Sequence, residues 1–243
     1  MTLLGTGVLA IWNGIESGAD PEFLEWHVLE HIPERVAVPG FLRGRRYVAE
    51  GQVDPKYFNF YETESPEVLT SAAYRERLDS PTPWTRKVVS RFRDTTRTVC
   101  GVQASLGCGD GGWIETVRLA PSGDSAAFAI ALSERILPAL LGRRGIVAVH
   151  LLKGDPDASR GGSAEKGLRA QPDRIASWIL LVEGVDSSSL EAARGAAAGD
   201  DELLELGAAR GIERGIYRLQ FALSKAEFAQ GPGPAPHRWT KSS

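Results

Sequence analysis

Two histidines four residues apart, His27 and His31, stand in the stretch EWHVLEHIPERVAVPGF (25–41). On a helix that spacing puts both imidazoles on one face. Such a pair can bind a metal, move protons, or fill a core. Zinc would want a third protein ligand, and the nearby Glu30 points elsewhere on the helical wheel. HVLEH also lacks the HExxH order, in which the glutamate follows the first histidine. No metal site is expected. An imidazole titrates near neutral pH, so His31 is the candidate proton carrier. The competing reading makes His31 a cation in the last turn before Pro33, favouring the helix C-terminal dipole. For His27 it is a half-buried side chain beside Phe23 and Trp26.

The strand-like run YFNFYE (57–62) splits into Tyr57, Asn59, Tyr61 and Phe58, Phe60, Glu62, because successive strand residues face opposite ways. The phenylalanines are expected under the helices. The Tyr/Asn/Tyr set is expected to face a space between sheets, a wall suited to a polar aromatic ligand. His31 and Tyr61 are then the catalytic candidates. His27, Arg46, Tyr57, Asn59, Trp12 and Asn13 are candidates for binding substrate, with Gln103 a further liner and Arg46 or Asn59 holding a developing oxyanion. Arg43 and Arg45 share a face and read most simply as solvated edge arginines. Tyr74 and Arg75 fall on a helix whose outer face is charged. Cys100 and Cys108 have no sequence-adjacent base and form no disulfide framework or CxxC motif.

The elements that must position these residues follow one order twice. The first half reads as strands at 7–12, 41–50, 57–62 and 96–107, with helices at 20–32, 65–78 and 83–93. The second half reads as strands at 113–120, 146–153, 174–185 and 215–224, with helices at 125–142 and 188–210. Both are βαββαβ. Asp20 and Asp124 precede helices 104 residues apart, and Glu30-His31-Ile32 and Glu134-Arg135-Ile136 share that offset. Regular self-similarity of this kind points to duplication. On that offset Arg135 replaces His31 and Ala131 replaces His27, so any chemistry belongs to the first half. The expected units are 1–110 and 111–230. The polar, Gly-rich segment 155–173 reads as a flexible insertion, with a lid as the other reading, and 231–243 as a flexible tail. Two such units give two four-stranded antiparallel sheets, whose uncovered faces are buried by packing sheet on sheet.

A helix carrying EHIPERVAVPGF followed by the Arg-rich strand LRGRRY resembles the dimeric α/β-barrel superfamily, nearest its EthD-like and stress-responsive members. The resemblance covers nearly the whole chain. It implies an α+β fold, with two tandem ferredoxin-like units closing a dimeric-type barrel within one chain. Relatives include monooxygenases, muconolactone isomerases, polyketide cyclases and haem enzymes, so the resemblance does not choose the reaction. The expected function is a small-molecule enzyme for a polar aromatic or lactone-like compound. It would act by His-assisted proton transfer as an isomerase, cyclase or cofactor-independent monooxygenase. A binding or sensing protein is the alternative. A haem enzyme with axial His27 or His31 is the third, haem being the one cofactor the resemblance admits.

Composition narrows the partners. Net charge is −3, with 42% hydrophobic and 24% charged residues among 243. No strong field steers the chain to nucleic acid or an anionic membrane. The segment MTLLGTGVLAIWNGI has no basic n-region and reads as a buried strand, and no run is long enough for a membrane span. The expectation is a cytoplasmic protein with a small-molecule ligand, and a homodimer is the one protein partner considered.

Overall fold

The computed structural model describes residues 3–231. Of the expected tail 231–243, all but Gly231 lies outside them. Eight strands form: β1 (Gly7–Ile15), β2 (Phe41–Ala49), β3 (Tyr57–Thr63), β4 (Phe92–Gly107), β5 (Trp113–Leu119), β6 (Ile146–Asp155), β7 (Trp178–Gly184) and β8 (Glu213–Ser224). They close into one antiparallel barrel in the order β1-β3-β2-β8-β5-β7-β6-β4. The two halves join where β2 pairs β8 and β4 pairs β6, so the barrel closes within the chain. The fold is the α+β dimeric-type barrel that the resemblance implies. Among the described residues, no helix is long and apolar enough to cross a membrane.

Helix α1 covers 20–37 as three continuous stretches: Asp20–Trp26, a wider π-helical turn His27–His31, and Ile32–Ala37. Expected to stop near Pro33, the helix instead runs one turn further. Proline has no N–H to donate, and its ring crowds the carbonyl four residues back. The wide turn absorbs both problems: the Ile32 N–H donates to the His27 carbonyl, five residues back. The helices that follow are α2 (Ala72–Asp79), α3 (Pro83–Val89) and α4. Helix α4 repeats the device of α1, with Ser125–Ala131, the wide turn Leu132–Ile136, and Leu137–Leu141 holding Pro138. There Leu137 N–H donates to the Leu132 carbonyl.

The wide turns set the register between the halves at 105 residues: Phe23 with Phe128, His27 with Leu132, His31 with Ile136, Pro33 with Pro138. This corrects the offset of 104. Asp20 is the first residue of its helix, whereas Asp124 is the cap outside its own, accepting from the Ala126 N–H. His31 is therefore matched by buried Ile136 and not by exposed Arg135, and His27 by buried Leu132 and not by Ala131.

The space between the sheets is not a pocket. It is filled by Val8, Ala10, Trp12, Tyr47, Phe58, Phe60, Ile114, Ile179, Leu181 and Tyr217. Trp12 stacks on Phe58 at 4.8 Å, and its indole N–H donates to Thr116. The phenylalanines of β3 thus face the barrel interior, and Tyr57, Asn59 and Tyr61 face the helices, the reverse of the expectation. Alternation sorted the two sets correctly. Their faces were exchanged because a closed eight-strand interior must be filled by bulky apolar side chains. Trp12 is consequently removed from the candidate site, lying across the sheet from it. Gln103 is exposed. Arg43 and Arg45 are not solvated edge residues, since β2 is paired on both sides. Arg45 is 1% exposed, lies over the Phe60 ring, and sits 3.1 Å from Glu183 and 3.2 Å from Glu62. Burial works to raise the Glu183 carboxyl, but Arg45, a hydrogen bond from His150 and the Gly111 N–H pull it down to about 2.

Residues 155–173, expected to be loose, carry a helix α5 (Pro156–Arg160) and a single 3-10 turn, Lys166–Leu168. They lie across the first half. Ser159 accepts the Val99 N–H, Glu165 donates its N–H to the Leu78 carbonyl, and the Glu165 carboxylate pairs with Arg35. In sequence this segment belongs to the second half, and in space it packs on the first.

Candidate functional site

The floor of the site is the outer face of the first sheet. Cross-strand pairing lines up Arg97, Ile11, Asn59 and Arg46 in one row over β4, β1, β3 and β2. Flanking rows bring Leu9 beside Tyr61, and Asn13 beside Tyr57. Helix α1 roofs this floor with Phe23, Trp26, His27, His31 and Arg35, all buried. Gly44 allows the close approach, because a Cβ there would meet Ile32 and the Tyr61 ring at 3.0 Å. Helix α2 adds Tyr74, buried rather than on a charged outer face, with its hydroxyl accepting from Arg97 at 3.1 Å.

His27 Nε2 lies 3.3 Å from the Tyr61 hydroxyl. The two imidazoles stack at 5.2 Å, with Phe23 5.2 Å from His27 on its other flank and Trp26 4.2 Å from His31. The Nδ1 atoms of His27 and His31, Asn59 Oδ1 and Arg35 Nη1 are buried without a hydrogen-bond partner among the described residues. Buried polar atoms are seldom left so, and a second group lies at Arg45 and Tyr47 inside the barrel. Burial drives both histidines well below their ordinary pKa. The guanidiniums of Arg46 and Arg35 add to this at His27, and Arg35, His27 and Arg169 at His31. Both are neutral at pH 7. Burial raises the Tyr61 phenol, which stays protonated. The reading of His31 as a cationic helix terminus is therefore corrected: the helix does not end there, and the site does not tolerate the charge.

Of the sequence-based candidates, His27, His31, Tyr61, Tyr57, Asn59, Asn13 and Arg46 meet in this layer. Asn59 donates to Asn13 Oδ1 at 2.8 Å. Tyr57 is turned to the rim, donating to Asp20 at 2.6 Å. Arg46 donates to the Leu24 carbonyl and to Gln220, each at 3.2 Å. Arg35, Tyr74, Arg97 and Glu165 were missed. Arg35 follows His31 at i+4, a signal that was available once the helix is allowed to pass Pro33. Nothing local in the sequence brings Glu165 here.

A haem does not fit these residues. Both imidazoles are enclosed among Phe23, Trp26 and Tyr61, and His27 Nε2 is already engaged by Tyr61. Among the described residues no three His, Cys, Asp or Glu side chains cluster to hold a metal.

No family model matches this sequence, and no curated protein matches it either. Solved structures do. An anthrone oxidase-like protein aligns over 91% of this chain and 94% of its own at 18% identity, with TM-score 0.59. Proteins provisionally assigned as monooxygenases align similarly. The one from Fusobacterium nucleatum covers 92% and 96% at 12% identity and TM-score 0.56. The one from Lactobacillus acidophilus covers 90% and 97% at 8% identity and TM-score 0.55. At such identities the likeness is one of architecture: this chain shares the α+β barrel fold of these proteins.

Proposed function

We propose that the protein is a small-molecule enzyme that moves a proton in the α1–sheet layer of its first half, with His27 as the base. The observation that carries this is a pair of buried, neutral, stacked imidazoles where the matching helix carries Leu132 and Ile136. Burying two under-partnered histidines costs about 1–3 kcal/mol each, which a purely structural layer has no reason to bear. With the proton on Nε2, His27 donates to the Tyr61 oxygen and presents the Nδ1 lone pair as base. The sequence favoured His31 for this part; the contact with Tyr61 moves it to His27, and His31 stacks behind to relay or orient.

A depressed histidine pKa makes a weak base, so the substrate must be acidic: a phenol or a carbon acid beside a ring carbonyl. Arg46 and Asn59 beneath would hold the oxyanion that forms. Likeness to an anthrone oxidase-like protein supports the same substrate chemistry, with isomerisation and cyclisation as the other outcomes of one deprotonation. The test is oxygen uptake and product analysis with a hydroxyanthrone. His27→Leu and Tyr61→Phe are each expected to lower turnover about 100-fold, and full turnover in both variants removes the reading. A binding protein is the second reading, favoured by the solvent-open clefts of about 220 and 380 Å³ beside Arg169 and Lys166. The discriminator is turnover itself: tight binding without conversion across a phenol and carbonyl panel selects it.

A further inference from the structure

The charges in and over this layer do not balance. Arg35, Arg46, Arg97, Lys166 and Arg169 surround it. Glu165 is paired with Arg35 and Asp173 with Arg169. Glu30 and Asp20 are held at the rim, the former by Trp26, Thr82 and Thr85, the latter by Lys56 and Tyr57. Arg46 and Arg97, each 4% exposed, have no carboxylate partner among the described residues. Arg97 is satisfied only by Tyr74 and the backbone ladder, and Arg46 only by a carbonyl and an amide. Lys166 is half-buried on the Ser159 and Gly161 carbonyls; burial and the nearby Arg97 bring its ammonium down to about 8. Buried cations without counter-charge are costly, and an anion brought among them is strongly favoured.

Among the described residues Glu165 is the carboxylate paired with the buried Arg35, and it arrives on a loop. Arg35, its partner, is rooted in α1 and keeps a further N–H unpartnered, with the Tyr74 ring 5.9 Å away. Solvent-open clefts of about 380 and 220 Å³ border the strap formed by residues 155–173, the first along Ser163, Lys166 and Gln171, the second along Phe92, Thr95 and Arg169. Phe92 lines the second cleft, and the buried rings of Phe23, Trp26, Tyr61 and Tyr74 lie in the layer behind. We propose that this site takes an anionic ligand, a carboxylate or enolate on an aromatic ring system, and that Glu165 occupies Arg35 as its internal stand-in until the ligand displaces it. The strap is thereby coupled to the ligand: occupancy of Arg35 by the ligand's anion releases Glu165. This rests on the site assignment made above and names its ligand class.

The test is isothermal titration of the full chain with 1-naphthoate, the neutral 1-naphthamide and the cationic 1-naphthylmethylammonium. Naphthoate is expected to bind at least about tenfold tighter than either. Glu165→Gln removes the competitor and is expected to tighten naphthoate about tenfold while leaving naphthamide unchanged. Arg97→Gln is expected to weaken naphthoate and spare naphthamide. The imidazole resonances of His27 and His31 should shift on naphthoate addition while those of His150 do not. Equal or tighter binding of the neutral or cationic probe overturns the proposal, as does weaker naphthoate binding in a folded Glu165→Gln. Where that variant does not fold, the ranking of the three probes on the unaltered chain decides. Loss of turnover in His27→Leu alongside a failed ranking would sink only the anion inference. An intact ranking alongside an active His27→Leu would sink only the proton-transfer reading.

Discussion

The two helix–sheet layers of this molecule are built alike and filled differently. Over the second sheet, α4 and the two helices that follow β7, α6 (Ser187–Ala197) and α7 (Asp200–Glu205), cover a layer of Val117, Phe128, Leu132, Ile136, Leu140, Leu180, Val182, Leu190 and Leu203. Over the first, the helical roof carries His27, His31 and Arg35, β3 carries Asn59 and Tyr61, and the neighbouring strands β2 and β4 carry the buried Arg46 and Arg97. The middle strands show it most directly. Tyr57, Asn59 and Tyr61 of β3 occupy the places that Trp178, Leu180 and Val182 occupy in β7. The inward faces of those strands stayed alike: Phe58 and Phe60 match Ile179 and Leu181, and Glu62 and Glu183 both reach Arg45. An apolar layer gives stability at no electrostatic cost. A polar layer of the same shape costs stability and retains groups that can act on a ligand.

Exchanging residues between the layers tests that contrast. The largest effect is expected from Leu132→His, which places an imidazole where nothing can partner it. The loss should be about 4 kcal/mol in urea denaturation, from lost packing and an unsatisfied polar group. The reverse change, His27→Leu, should alter stability by less than about 1 kcal/mol, since it removes an under-partnered ring but also the partner of Tyr61. Its turnover should fall about 100-fold, close to 2.7 kcal/mol in the barrier. A large stability loss with intact turnover would reverse the roles assigned to the two layers.

Acid should separate the layers next. His27 and His31 have folded pKa values well below the unfolded value of about 6.5. Below that value the unfolded chain binds protons that the folded chain refuses, so stability falls as pH falls, by up to about 1.4 kcal/mol per pH unit per histidine. His27→Leu combined with His31→Leu should flatten the curve between pH 6.5 and 5. The Glu183 contribution lies lower, being full above its ordinary 4.5 and lost toward about 2. An unchanged slope in the double variant would mean that the imidazoles are not held neutral by burial. The smallest effect is expected from Arg135→His. Arg135 is exposed, so the denaturation midpoint should not move. A clear shift would favour the 104-residue register over the 105-residue one.

Much of this architecture was legible in the chain. All eight strands, the order βαββαβ twice, and the seven site candidates that do converge follow from alternation, helical spacing and turn chemistry. Local rules failed at Pro33, read as a helix stop because a wide turn that rescues a proline leaves no mark in residue types. They failed again at β3, where period-two alternation separates two faces without saying which is which. Arg45 and Tyr74 were read as exposed because charge and a polar tip were weighed without knowing that β2 pairs on both edges and that α2 turns Tyr74 inward.

The sequence by itself determined which side chains share a face, since that depends only on the backbone repeat of each element. It also put both histidines of the pair in the first half. Only the tertiary structure decided which face fills the barrel and which meets the helices, because burial depends on what the other half of the chain packs against. The same reason brings Glu165 from 130 residues away in the chain onto Arg35. A charge pair made across two halves has no local signature, and closure of the barrel is what puts its partners together.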